Sequence, residues 1–261
     1  MKLTLIKPDI ETYPIEFQPF MRDAKIYDSS CSPEARVIFI DKDNGYFLKS
    51  AQKGKLKRQT TMMRFFYSKN LSANVLAYLS GEQDWLLTEK IHGDDCISAK
   101  YLEQPKKLCD IIAEKLVMVH SMDFSDCPEQ NHTAWYLDSA RQNKIAGTYN
   151  KDHFPDSFGY TSAEDAWAVV DAKSHMLKCD TLLHGDYCLP NIILNDWKLA
   201  GFIDLDNAGV GDMHVDIFWA IWSLFFNLQT NNYRQRFIDA YGRDKIDEEM
   251  LRVVAAIEVF G

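Results

Sequence analysis

The stretch LHGDYCLPNIILNDWKLAGFIDLDNAGVGDMHVD, residues 183–216, decides how the chain is read. Asn191 follows Asp186 by five positions, and Asp204 follows it by eighteen. Residues 191–194 read as one strand, Asn195-Asp196-Trp197-Lys198 as a turn, and residues 199–203 as the returning strand. A hairpin folds its two ends together, so Asp186, Asn191 and Asp204 can converge at its open end. Two of them can then hold Mg2+ on a nucleotide while the third faces a hydroxyl. Phosphoryl transfer needs that set of parts, because positioning and charge neutralisation do nearly all of its catalytic work. Asp and Asn are also common turn and cap formers, and Asn195-Asp196 has no stronger reading than that. What sets the other positions apart is the ordered set His184, Asp186, Asn191 and Asp204 between apolar strands.

HGDYCLPNIIL followed by GFIDLDNAGVGDMHVDI resembles the aminoglycoside O-phosphotransferases, especially the 3′-phosphotransferases. In that family the first motif reads HGD with Asn five residues beyond the Asp. The second reads GFIDL, then a short loop and a helix opening with Asp. The likeness covers most of the second half and recurs more weakly upstream. It implies an α+β, two-lobed, protein-kinase-like fold: a small β-rich N-terminal lobe with hinge over residues 1–92, and a larger, mainly helical lobe over 93–261. It also implies ATP in the cleft, Asp186 as the catalytic carboxylate beside the substrate hydroxyl, and Asn191 and Asp204 as ligands of Mg2+. His184 anchors the loop, and Asp216 caps the following helix and braces the loop.

At 261 residues the chain is long enough for one large domain or two lobes sharing a cleft. Its 46% hydrophobic and 13% aromatic content indicates a packed globule and excludes disorder. The net charge of −9 argues against non-specific nucleic-acid binding and is compatible with a cationic small-molecule substrate. The six cysteines show no C-x-x-C spacing, no secretory segment opens the chain, and no apolar run is long enough to span a bilayer. The expectation is a cytoplasmic protein with reduced thiols, away from membranes, as monomer or dimer. No G-x-x-x-x-G-K followed by Ser or Thr occurs, which excludes a P-loop kinase.

Upstream, residues 3–6 read as a short edge strand. Residues 36–40 and 45–49 form a second hairpin pattern around the turn signal Asp41-Lys42-Asp43-Asn44-Gly45. The Ser-rich loop before it suits a phosphate-covering flap, and Ser32-Pro33 resembles the Ser-Pro loop of the family; the other reading is an ordinary polar loop. Lys49 near the end of the second strand can reach the α- and β-phosphates, or it is a solvated edge residue. Kinases pair this Lys with a helix Glu, yet no Glu occurs between Glu34 and Glu82, and Gln59 falls at the family position. A Gln carbonyl can accept from Lys49 but brings no charge.

Strands follow over 74–79 and 84–88, and then the hinge-like Thr88-Glu89-Lys90-Ile91-His92-Gly93-Asp94. By resemblance, the Thr88 carbonyl and the Lys90 amide face adenine. Residues 106–121 carry one apolar helical face. Residues 124–160 read as a polar and aromatic insertion with helical patches, which in the family forms the substrate lid. Ser162 caps a helix running to about residue 176. Helices follow over 216–228, 233–241 and 248–260. The family pocket gathers carboxylates for a polycationic substrate, and Asp156 or Asp152 in the insertion and Glu258 near the end are the candidates. Phe225-Phe226-Asn227 stands where some members carry acids. A choline- or ethanolamine-like kinase therefore stays open as an alternative, since aromatics suit a quaternary amine. So does a nucleotide-binding regulator without catalysis.

Overall fold

Strand alternation and helical periodicity sort this sequence into elements that the computed structural model describes over residues 3–31, 33–150 and 160–261. In chain order they are β1 (Thr4–Ile6), α1 (Gln18–Met21), β2 (Lys25–Asp28), β3 (Ala35–Asp41), β4 (Tyr46–Gln52), α2 (Lys57–Ser68), β5 (Val75–Ser80), β6 (Gln83–Glu89) and β7 (Asp94–Asp95). Then come α3 (Ala99–Leu102), α4 (Pro105–His120), α5 (His132–Ile145), α6 (Ala163–Lys173), β8 (Thr181–Leu183), β9 (Ile192–Asn195), β10 (Lys198–Phe202) and β11 (Gly209–Gly211). The chain finishes with α7 (His214–Leu228), α8 (Arg234–Tyr241) and α9 (Glu248–Glu258). Ser32, Asp152 and Asp156 lie outside the described residues.

The chain divides into two compact units. One comprises Met1–Asp95 with Ile192–Asp206, and the other Cys96–Asn191 with Asn207–Gly261.

The first unit is built on a six-stranded antiparallel sheet in the order β1-β2-β3-β4-β6-β5, with the expected edge strand at one side. Phe17 and Met21 of the α1 segment pack on Ile26, Ile38, Ile40, Leu48 and Leu87 to form its core. The helix α2 buries Gln59, Thr60, Met62, Met63, Phe65 and Phe66. Its N-cap is Leu56, which has no polar side chain to offer the helix start. Asp84 of β6 compensates, accepting the Leu56 amide at 2.9 Å, Tyr78 Oη at 3.0 Å and Ser80 Oγ at 2.7 Å. Burial opposes that charge, but the hydrogen bonds from Ser80, the backbone and Tyr78 hold the acid below the usual range. A helix is thereby fixed to the sheet at its start.

The β9–β10 hairpin belongs to this first unit. β7 pairs with β9, and Ser72 bridges Phe202. The turn is tighter than the four residues the sequence suggested, because Asn195 and Lys198 already pair across the ladder. Asp196 and Trp197 alone turn the chain, at φ +48° and +66°. Positive φ at both central residues gives a turn whose twist matches the strands.

The second unit holds α3–α9 and a short ladder of β8 with β11. The α4 helix turns Leu108, Cys109, Ile112, Ala113, Leu116 and Val119 inward, the face expected from its 3.6-residue period. Ser162 caps α6 as its sequence indicates, accepting the Asp165 amide at 3.1 Å. A helix, α5, fills much of the insertion and is capped by Asn131. Among the described residues no helix is long and apolar enough to cross a membrane.

Candidate active site

In the second unit the buried strand β8 delivers His184, Gly185 and Asp186 at its end. Gly185 adopts φ +85°, and a Cβ there would stand 1.9 Å from the Asn207 carbonyl oxygen, so only glycine fits. Asp216 fixes the turn. Its carboxylate accepts the His184 amide at 2.8 Å, the Gly185 amide at 2.7 Å and His120 Nε2 at 3.1 Å. His120 Nδ1 lies 2.8 Å from Tyr241 Oη, so this histidine at the end of α4 joins the loop brace to α8. The loop-bracing expectation for Asp216 holds, and the capping one does not. Asp216 is the third residue of α7, past the N-cap, and its oxygens are committed to the loop. Asp212 takes the helix start instead, accepting the His214 amide at 2.9 Å. Asp216 is wholly buried, which opposes ionisation, yet His120 and then His184 outweigh burial and hold its acid below the ordinary value of 3.8.

The remainder of the loop is pinned at several points. Tyr187 Oη donates to the Ile112 carbonyl at 2.9 Å, and the Leu189 amide donates to Ser223 Oγ at 2.8 Å. His184 Nδ1 accepts the Asp186 amide at 3.2 Å, the anchoring expected of that histidine. Asn191 then meets Asp186 directly: its Nδ2 donates to the Asp186 carbonyl at 3.0 Å and to Oδ2 at 2.8 Å. With its donor end so committed, Asn191 turns Oδ1, the hard oxygen that a magnesium ion takes, away from Asp186. Burial pushes the thiol of Cys188 in the same loop well above the usual range, which leaves it little thiolate character.

A cavity of about 350 Å³ in this unit is lined by Asp186, Glu258, His132, Trp135, Tyr136 and Trp219, among others. Glu258 is 4% exposed and accepts Tyr136 Oη at 2.7 Å and Trp219 Nε1 at 2.9 Å on one oxygen. Burial pushes its acid up to about 7, against the two hydrogen bonds and with a contribution from the charge of Asp186. The sequence alone does not single out Tyr136 or Trp219. Trp219 sat inside a run that reads as core, and its only signal is the three-residue spacing from Asp216 that puts both on one helix face.

In the first unit, Lys49 of β4 pairs with Asp204 just beyond β10, Nζ to Oδ1 at 3.1 Å. Asp204 sits at φ +53°, a left-handed conformation that Asp tolerates better than most side chains. Gln59 reaches the same oxygen through Nε2 at 3.3 Å. The expected contact of a Gln59 carbonyl with Lys49 is therefore corrected: Nε2 faces Asp204, and Oε1 is buried without a hydrogen-bond partner. Lys90 also departs from expectation. Its amide donates to the Gly45 carbonyl at 2.9 Å, so it extends the β4–β6 ladder and is not turned toward a base. Thr88, two residues back, is paired with Phe47 in the same register, which by strand alternation directs its carbonyl into that ladder too. The Lys90 side chain lies over the Phe39 ring at 5.1 Å.

Among the described residues no group of three His, Cys, Asp or Glu side chains is arranged to hold a metal by itself. Mg2+ keeps waters and phosphate oxygens and takes only one or two protein ligands, so it does not require such a group.

The phosphotransferase enzyme family model matches residues 32–254. A probable aminoglycoside 3′-phosphotransferase of Lactococcus lactis is 48% identical over 257 residues, 98% of each chain. An aminoglycoside 3′-phosphotransferase of Niallia circulans is 31% identical over 180 residues, covering 69% of this chain and 68% of that one. Among solved structures, an aminoglycoside-3′-phosphotransferase of type VIII superposes with a TM-score of 0.74 at 20% identity, over 89% of this chain and 92% of that chain. An aminoglycoside phosphotransferase from Streptomyces rimosus in complex with ADP and streptomycin superposes with a TM-score of 0.71 at 19% identity, over 86% and 90%. Sequence, sheet and loop thus lead to one statement: the chain is an enzyme of kinase-like α+β fold and belongs to the phosphotransferase enzyme family.

Proposed function

We propose that the enzyme transfers the γ-phosphoryl group of ATP to a hydroxyl of an aminoglycoside, at the 3′ position named in its relatives. The observation that carries this reading is the cavity that Asp186 shares with the buried carboxyl group of Glu258. A reacting carboxylate and an ammonium-binding acid border one space. The substrate hydroxyl is oriented by Asp186, its oxygen attacks the γ-phosphorus, the bond to the β–γ bridging oxygen breaks, and the proton passes to Asp186 as ADP leaves. A loose transition state demands little basicity, so an ordinary carboxylate is enough. Asn191 Oδ1 and Asp204 are the proposed ligands of Mg2+, which when bound neutralises charge on the triphosphate.

Lys49 is the proposed partner of the α- and β-phosphates, released from Asp204 when nucleotide arrives. Ser32 is the proposed flap residue and Asp156 a further proposed substrate acid. With the Lys90 amide committed, the base is proposed to meet backbone groups of the opposite parity on the same segment, the Glu89 carbonyl and the Ile91 amide. A reducing, cytoplasmic setting accords with six cysteines that lack C-x-x-C spacing.

Incubating the protein with ATP, Mg2+ and, separately, kanamycin, neomycin or choline tests the reading by mass spectrometry of the products. A phosphorylated aminoglycoside is expected. Phosphocholine alone would replace the substrate with a quaternary amine held by the aromatic walls of the cavity. Nucleotide binding with no product from any acceptor would make the chain a regulator.

A further inference from the structure

Gln59 is the third residue of α2 and is 4% exposed. Its Nε2 and the Lys49 ammonium converge on one oxygen of Asp204, at 3.3 and 3.1 Å. Had the side chain served Lys49, its carbonyl end would face the ammonium. The amide is turned the other way, donor end to the carboxylate, and Oε1 is left buried and unpaired. A buried carbonyl without a donor is costly, so a neutral amide that tolerates this cost does so for the contact at its other end. A carbonyl turned toward Asp204 would set two acceptors against each other.

We propose that Gln59 is a positioning residue for Asp204 and not for Lys49: its amide holds Oδ1, so that Oδ2 is presented for a magnesium–nucleotide complex. The kinase arrangement, in which a helix carboxylate orients the lysine, is here replaced by a helix amide that orients the metal-binding carboxylate. The proposal rests on the phosphotransferase reading of Lys49 and Asp204, and it assigns Gln59 an effect that depends on metal.

Calorimetric titration of the full chain with the non-hydrolysable analogue AMP-PNP, in Mg2+ and in EDTA, separates the possibilities without any turnover. Gln59→Met keeps the length and removes both polar atoms. It is expected to weaken binding about ten-fold in Mg2+, the range for a lost hydrogen bond to a charged group, and less than two-fold in EDTA. Gln59→Glu cannot donate to Asp204 and is expected to show the same metal-specific loss. An equal loss in both buffers would make Gln59 a packing residue or a partner of Lys49. Tighter binding by Gln59→Glu in EDTA would restore the lysine-orienting role. Unchanged affinity in both variants would leave Gln59 without a role at the site. Each of these three results overturns the proposal. A wild-type chain that binds AMP-PNP in neither buffer would instead remove the nucleotide reading itself, and the Gln59 assignment with it.

Discussion

Asp216 accepts the Gly185 amide at 2.7 Å across 31 residues of sequence, so the start of α7 sets the geometry of the turn that presents Asp186. Replacing Asp216 by Asn keeps the shape but turns one acceptor into a donor facing N–H groups. The cost should be about 3 kcal/mol, the range for breaking a buried, hydrogen-bonded charge. Urea denaturation measures it, and turnover should fall with it because the loop loses its brace.

Acid should reproduce part of that loss. The folded protein holds the Asp216 acid below its ordinary 3.8, so its contribution is complete above that value and disappears as pH falls through the depressed one. Wild type should therefore lose urea resistance below about pH 4 more steeply than Asp216→Asn, which has no such group to protonate.

Asp186→Asn should cut kcat by about 10²–10⁴, the usual weight of a positioned proton acceptor, while AMP-PNP affinity changes little. Single-turnover assays beside calorimetry make the comparison. Comparable kcat in the variant would take Asp186 out of the chemistry.

Burial pushes the Glu258 acid up to about 7, with consequences of opposite sign for substrate and for stability. Below that pH the carboxyl is neutral and a cationic substrate gains little from it. KM for an aminoglycoside should therefore fall as pH rises from 6 to 8, and Glu258→Gln should flatten the profile. The folded value lies above the ordinary 4.5, so the ionised group weakens the fold as pH rises through that window. Glu258→Gln, which can still accept from Tyr136 and Trp219, should then raise the melting temperature at pH 8. The gain is at most on the order of 3 kcal/mol. On the role proposed for Glu258, keeping such a group exchanges stability for substrate binding.

Gly185→Ala tests the turn itself. Both the positive φ and the Asn207 carbonyl oppose a methyl group there, and destabilisation of about 2–4 kcal/mol is expected from thermal melts.

Much of this was legible in the sequence for local reasons. Strand alternation gives β3 to within a residue at each end and the start of β4, which runs three residues further than expected; Ser162 marks a helix start, and the spacing of Asp186 and Asn191 marks a loop that folds on itself. What escaped was long-range. The partners of Asp216 lie at positions 120, 184 and 185, and no short pattern joins them. By resemblance the Lys90 amide goes to a ligand, whereas strand register gives it to Gly45. Gln59 stood out by the absence of a Glu, but which end of an amide faces which neighbour is settled only by the atoms around it. Trp219 was hidden by its own apolar neighbours.

The β9–β10 hairpin has a consequence for how the protein emerges during synthesis. A nascent polypeptide released at residue 95 would carry β7 without β9, Ser72 without its bridge, and Phe66 without the Phe202 ring 6.5 Å away. The first unit cannot finish folding when its own contiguous part has left the ribosome, but must wait until residues 192–206 are translated. A severed fragment of residues 1–95 should expose that apolar gap and aggregate, and a separately supplied peptide spanning 192–206 should restore its solubility.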